Sequence, residues 1–99
     1  MANYRLSSAA AQDFEQLFEY GIDNFGLARS ESYVDGLIIQ FQSIAENPLH
    51  YQSVEHIRKG YRRSVYNKHA IYFVITSEFI YVCSITLFSL EILNQSTIR

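Results

Sequence analysis

The period of the apolar residues changes once along this chain, at Asn47-Pro48, and that change restricts the fold more than any other feature. Before it, Phe14, Leu17, Phe18, Gly21, Ile22 and Phe25 recur at i, i+3, i+4, i+7, i+8 and i+11. Tyr33, Val34, Leu37, Ile38, Phe41, Ile44 and Ala45 form a second stripe of the same kind. Each spacing puts its apolar residues on one face of an α-helix. After the change, Tyr61–Tyr66, His69–Thr76 and Phe79–Thr86 are rich in Tyr, Val, Ile, Phe and Thr. The polar pairs Asn67-Lys68 and Ser77-Glu78 separate them, as two-residue breaks separate the strands of β-hairpins.

The ends of the helices are also written locally. Ser7 or Ser8 caps the first helix by accepting from free backbone N–H groups. Gly26 ends it, because glycine tolerates a positive φ. Pro48 stops the second, since proline lacks an N–H and restricts the residue before it. Gly21 lies on the first apolar stripe, and close approach of the second helix explains a residue that otherwise costs about 1 kcal/mol in a helix. Asn3–Leu6 alternates weakly and reads as a short strand, and Leu49–Glu55 reads as irregular. The resulting order is β-α-α-β-β-β. It predicts an α+β fold, an antiparallel helical hairpin packed on one face of a small, mainly antiparallel sheet. Residues 1–99 read as a single domain, with 87–99 a tail whose Leu87, Leu90 and Leu93 or Ile92 suit either a strand or a docked helix.

Charge is unevenly placed. Seven of the ten acidic residues lie between Asp13 and Glu46, and five of the eight Lys and Arg residues lie between Arg58 and Lys68. A net charge of −2 gives no whole-chain attraction to nucleic acid or membrane, so no direct sequence-specific nucleic-acid binding is expected. The longest apolar run, Ala70–Ile75, is too short to span a bilayer. The N-terminal residues do not resemble a secretory signal. One cysteine, Cys83, cannot form an internal disulfide. These features predict a cytoplasmic protein.

Chemistry is sparse. His50, His56, His69 and Cys83 show no metal-ligand spacing, and no phosphate-cradling glycine loop is present, so no metal or cofactor is expected. The concentrated feature is Arg58, Lys59, Tyr61, Arg62, Arg63, Lys68 and His69. Arg62 and Arg63 are adjacent on a strand and therefore face opposite ways. One reading is that one of them pairs with helix carboxylates while the other meets a ligand. A solvated edge that resists aggregation is the plainest account of the run. Binding of phosphate or of an acidic partner segment is the alternative. His69 is the candidate for acid–base work on RNA, which would need a base and a proton donor around one phosphate; a strand histidine beside a turn more often bonds the backbone.

Three segments resemble the ParE branch of the ParE/RelE toxin superfamily of bacterial type II toxin–antitoxin systems: YRLSSAAAQDFEQLFEYGIDNFG, YVDGLIIQFQSIAENP and, most specifically, IRKGYRRSVYNKHAIYFVI. The similarity covers roughly residues 3–83. It implies two antiparallel helices on a small curved sheet, a ParD-like antitoxin that wraps the toxin, and DNA gyrase as a target inhibited by direct binding without catalysis. The RelE branch implies the alternative, ribosome-dependent cleavage of mRNA, with Arg62, Arg63, Lys68 and His69 handling phosphate and protons. After Tyr81 the chain carries one Glu and one Arg as ionised side chains and no Tyr or His, so the C-terminal catalytic set of that branch has no counterpart. The chain also departs from the ParE pattern. Ser84 stands where arginine is usual, Thr86 where leucine is, and Leu87 where histidine is. This departure implies a third reading, an inactive variant that only binds antitoxin.

Overall fold

The computed structural model describes residues 3–88. Strand β1 (Tyr4–Leu6) leads into helix α1 (Ser8–Phe25), and helix α2 (Leu27–Glu46) follows after one residue. A 3-10 turn at Pro48–His50 precedes strands β2 (Gln52–Ser53), β3 (Arg62–Tyr66), β4 (His69–Ile75) and β5 (Ile80–Leu87). The sheet has five strands in the order β1-β5-β4-β3-β2. Its neighbours are antiparallel except β1 and β5, which run parallel.

The sequence expectation of two helices on a mainly antiparallel sheet holds, with two corrections. The stretch expected to be irregular contains the 3-10 turn and β2, whose two residues pair with Arg63 and Arg62. A strand this short has no period to read and exists because β3 offers it an edge. Leu87 ends β5, so the strand runs one residue into the segment read as a tail. The expectations for residues 89–99 lie outside the described residues.

Gly26 joins the helices. At φ 91° its N–H donates to the Ile22 carbonyl at 3.0 Å, and its own carbonyl accepts from Ser30 at 3.1 Å. Only glycine adopts that φ without strain, so the link is one residue long. The helices touch at Gly21, where an added Cβ would meet the Ser30 hydroxyl and lie 3.0 Å from the Ser30 Cβ. Ser30 is buried and donates to the Phe18 carbonyl at 2.8 Å, which satisfies its hydroxyl inside the contact.

The hairpin covers one face of the sheet. Ala10, Leu37, Phe41 and Ile44 from the helices meet Ile71, Phe73, Ile80, Val82 and Ile85 from β4 and β5. Full burial of a ring such as Phe41 or Phe73 contributes about 1.5–3 kcal/mol. Val82 and Ile85 are three apart yet share this face, which strict alternation forbids. The register explains it: Phe73 pairs with Val82 but Tyr72 pairs with Ser84, so Cys83 is an extra residue, a β-bulge. The bulge frees backbone groups, and α1 takes them. The Ser7 hydroxyl donates to the Cys83 carbonyl at 2.9 Å while accepting the Ala10 N–H at 3.0 Å as the helix cap. The Asp13 carboxylate accepts the Ile85 N–H at 3.0 Å.

Ser7→Ala should lower stability by about 2 kcal/mol, through a lost cap and a lost hydrogen bond. Ser7→Asp should recover the cap but not the bond, because a carboxylate cannot donate to the Cys83 carbonyl. Denaturant midpoints check this; equal stability of Ser7→Asp and the unaltered chain would remove the role given to the Cys83 contact.

Candidate functional site

The basic segment is divided by the pleat of β3. Arg62 pairs with Phe73 and Arg63 with Tyr72, and those two β4 residues lie on opposite faces, Phe73 in the helix-side core and Tyr72 in a second cluster. On the helix side, Arg62 Nη1 donates to the Tyr51 carbonyl at 2.7 Å. Its partner is thus a backbone carbonyl rather than the helix carboxylate expected. It ties the segment before β2 to β3. The next inward residue, Ser64, accepts from Gln40 Nε2 at 2.6 Å, which couples β3 to α2. Tyr66 follows and lies over Gly36, where an added Cβ would run into its phenol, 2.8 Å from Cζ.

His69 also belongs to the helix side. Its Nδ1 shares a 2.7 Å hydrogen bond with the Tyr33 hydroxyl, which also reaches the Tyr66 carbonyl at 3.3 Å. The expected backbone bond is replaced by a side chain of α2, because the Tyr33 ring packs against both His69 and Tyr66. Burial holds His69 below its ordinary value of 6.5. Burial and the nearby Tyr66 hold the Tyr33 phenol above 10.0, against bonds from Asn67 and the Lys68 backbone. Arg62 and His69 share a face, but β3 positions 62 and 66 separate them by four residues, roughly 13 Å along the strand.

The opposite, outer face carries a different set. Val54, Ala70 and Tyr72 are buried there, packed with Tyr61 and Phe88. Arg63 lies over the Phe88 ring, 5.1 Å from its centroid, and Arg58 over Tyr61 at 5.8 Å. The Tyr61 phenol sits beside the Cys83 thiol; that contact, and then burial, raise it above 10.0, with Arg58 pulling the other way. The loop that presents Arg58 is closed by Val54 N–H to the Tyr61 carbonyl at 2.9 Å and by Gly60 N–H to Glu55 Oε2 at 3.3 Å. Gly60 has φ 82°, so the turn needs a glycine there. Lys59 and Lys68 are exposed in loops, and the Lys68 carbonyl accepts the Phe88 N–H at 2.7 Å.

The seven residues singled out in the sequence therefore do not form one site. Arg58, Tyr61 and Arg63 gather on the outer face, Arg62 and His69 lie beneath the helices, and the two lysines sit in loops. The departures from the family pattern fall mostly on the outer face. Ser84 pairs with Tyr72, in one row with Arg63, and Thr86 pairs with Ala70. Thr86 Oγ1 is buried with no hydrogen-bond partner among the described residues. Leu87 is exposed opposite His69. Sequence reasoning passed over Tyr33 and Arg5. Arg5 pairs with Tyr81, and its guanidinium lies 4.5 Å from the centroid of Phe79, a placement that depends on the parallel β1–β5 pairing. Among the described residues, no three His, Cys, Asp or Glu side chains are grouped to hold a metal ion, and no helix is long and apolar enough to cross a membrane.

Comparison with known proteins agrees with this architecture. Residues 4–86 match the family of ParE toxins of type II toxin–antitoxin systems, parDE. The toxin ParE1 of Caulobacter vibrioides is 32% identical over 73 residues, 74% of this chain and 76% of that protein. Toxin ParE1 of Mycobacterium tuberculosis is 29% identical over 77 residues, covering 78% and 79%. In structure, the fold is similar to a chain of the chromosomal ParDE system of P. aeruginosa, with a TM-score of 0.77 at 13% identity over 88% of this chain and 96% of that one. It is also similar to the conserved hypothetical protein HP0894 of Helicobacter pylori, with a TM-score of 0.61 at 14% identity over 90% and 97%. The chain belongs to the ParE toxin family of type II toxin–antitoxin systems.

The depressed His69 value has a consequence for stability. The folded chain takes up fewer protons than the unfolded chain as pH falls through about 6.5, so stability present above that pH is lost between 6.5 and the lower folded value. Denaturant midpoints at pH 7.5 and pH 5 should therefore fall further for the unaltered chain than for His69→Gln. Equal losses in the two proteins would show that His69 does not carry this dependence.

Proposed function

We propose that the chain is a ParE toxin that stops DNA replication by binding DNA gyrase directly, with no reaction of its own, and that a ParD-like antitoxin in the cytoplasm neutralises it. The observation that carries this reading is the division of the basic segment by the sheet. A phosphoryl-transfer site needs its base and its charge stabilisers around one phosphate. His69 and Arg63 are on opposite faces, and Arg62 is committed to the Tyr51 carbonyl. That arrangement supports a surface for protein contact over the endonuclease alternative. The antitoxin reading draws on the other half of the molecule. Tyr20, Phe25 and Leu27 are exposed at the closed end of the helical hairpin, among Glu19, Asp23 and Glu31, and such a surface suits a segment that folds on binding.

Purified toxin should inhibit supercoiling by gyrase at micromolar concentration, and the product of a short neighbouring antitoxin gene should reverse the inhibition. Supercoiling that proceeds unchanged in the presence of the toxin, or codon-positioned cuts in translated mRNA seen by primer extension, would remove this reading.

The inactive-variant reading is favoured by one observation, the placement of Ser84 in line with Arg63 across Tyr72. An arginine there would restore a cation and a planar set of donors to the outer face. On this reading Ser84→Arg converts a chain that leaves growth unaffected into one that arrests it. Growth arrest by the unaltered chain rules the reading out.

A further inference from the structure

The outer sheet face has a property that neither the family match nor the gyrase reading supplies. Arg5 lies over Phe79, Arg58 over Tyr61 and Arg63 over Phe88, at 4.5, 5.8 and 5.1 Å from the ring centroids. All three pairs are on this one face. Tyr4 packs against Phe41 in the helix-side core, so its neighbour Arg5 points outward. Tyr61 is 6.3 Å from Tyr72, which lies in the outer cluster, and Arg63 pairs with Tyr72 across the strands.

Charge is segregated in the same direction. The two helices carry seven carboxylates and Arg29, whereas the other described residues carry six cations and only Glu55 and Glu78. The molecule is therefore dipolar. Its small net charge hides a strongly acidic hairpin and a basic sheet side.

A guanidinium laid on a ring keeps most of its in-plane N–H donors available, with less freedom left to lose when they bond an anion; Arg63 spends one, from Nη2 to Gln52 Oε1 at 3.5 Å. Arg5 and Arg58 are exposed, and Arg63 is partly so. Arg63 on β3 and Arg5 on β1 are three strand spacings apart, roughly 14 Å. The centre of the face, Ala70 and Tyr72, is closed, so a ligand meets the arginines around it rather than a stacking floor. Unpaired bases are held by open aromatic faces. Here Tyr61, Phe79 and Phe88 already carry guanidinium groups, and Tyr81, beside Phe79, is a single open ring where a run of unpaired bases would need several. That favours the phosphate backbone of a duplex over a single strand.

We propose that the outer sheet face binds duplex DNA through its phosphates, independently of sequence, with Arg5, Arg58 and Arg63 as the principal contacts. This goes beyond the gyrase reading and does not depend on it. The acidic helices are repelled by the same DNA, so the contact is oriented and strongly weakened by salt.

The test is fluorescence anisotropy of the full chain with a labelled 20-base-pair duplex, without gyrase, across a range of salt. Three phosphate contacts give a slope of about −2.7 in log K against log salt, a loss of about 40-fold between 50 and 200 mM. Arg5→Gln and Arg58→Gln, both exposed, should each reduce the slope by about one unit; Arg63→Gln should do the same where circular dichroism shows it folded. Arg29→Gln on α2 should change nothing. Several outcomes overturn the proposal: no salt-dependent binding at 50 mM, equal loss in Arg29→Gln, tighter binding of the corresponding single strand, or equal binding of poly-glutamate, which would assign the face to an acidic protein segment. Each leaves the supercoiling result standing on its own.

Discussion

The bulge at Cys83 and its attachment to the start of α1 is the constraint on which the rest of the structure depends. One extra residue in β5 turns Val82 and Ile85 to the same side, and the core beneath the hairpin needs both. A bulge leaves backbone groups without a ladder partner, and burying them unpaired would cost about 1–3 kcal/mol each. Ser7 and Asp13 answer two of them from α1. Because β1 pairs with β5 just before the bulge, the chain arrives at Ser7 already beside Cys83. Helix cap, bulge and parallel edge strand thus form one unit built from residues about 75 positions apart.

This unit also divides the molecule. With the hairpin held on one face of the sheet, the acidic residues are carried to one side and the basic residues to the other. The alternation of β3 divides the basic cluster again. Arg62 becomes a brace under the helices, and Arg63 joins the outer face. The groups of the basic cluster are thereby kept from meeting around one phosphate, and the two sides of the molecule differ in charge. The exposed Tyr20, Phe25 and Leu27 give the acidic side an apolar patch at the closed end of the hairpin, and the stacked arginines give the basic side oriented donors.

Much of this was legible in the amino-acid order. Gly26, Pro48 and the pair Asn67-Lys68 mark boundaries because each acts on its own backbone or its immediate neighbour. The close helix contact at Gly21 was legible for a related reason, since a glycine on an apolar stripe has a cost that a packing contact must offset. The candidate site was only partly legible. Alternation foretold that Arg62 and Arg63 would part, but not what each would meet. Arg62 found a carbonyl instead of a carboxylate, and His69 found Tyr33 instead of the backbone. Those partners lie 11 and 36 residues away, beyond the reach of any local pattern. Arg5 escaped notice because a lone arginine in a three-residue strand has no meaning until Phe79 lies beneath it.

The sequence by itself determined the two helices, the antiparallel hairpins, the α+β class and the membership of the ParE family, because periodicity, caps, turns and short motifs are short-range properties. The tertiary structure alone decided that β1 joins β5 in parallel, that Cys83 is the extra residue, that Gln52–Ser53 becomes a strand, and that three arginines share one face. Each of these is a pairing between distant segments. Several alternatives have the same local propensity, and the choice among them rests on which arrangement buries the apolar stripe while leaving the fewest backbone groups unpaired.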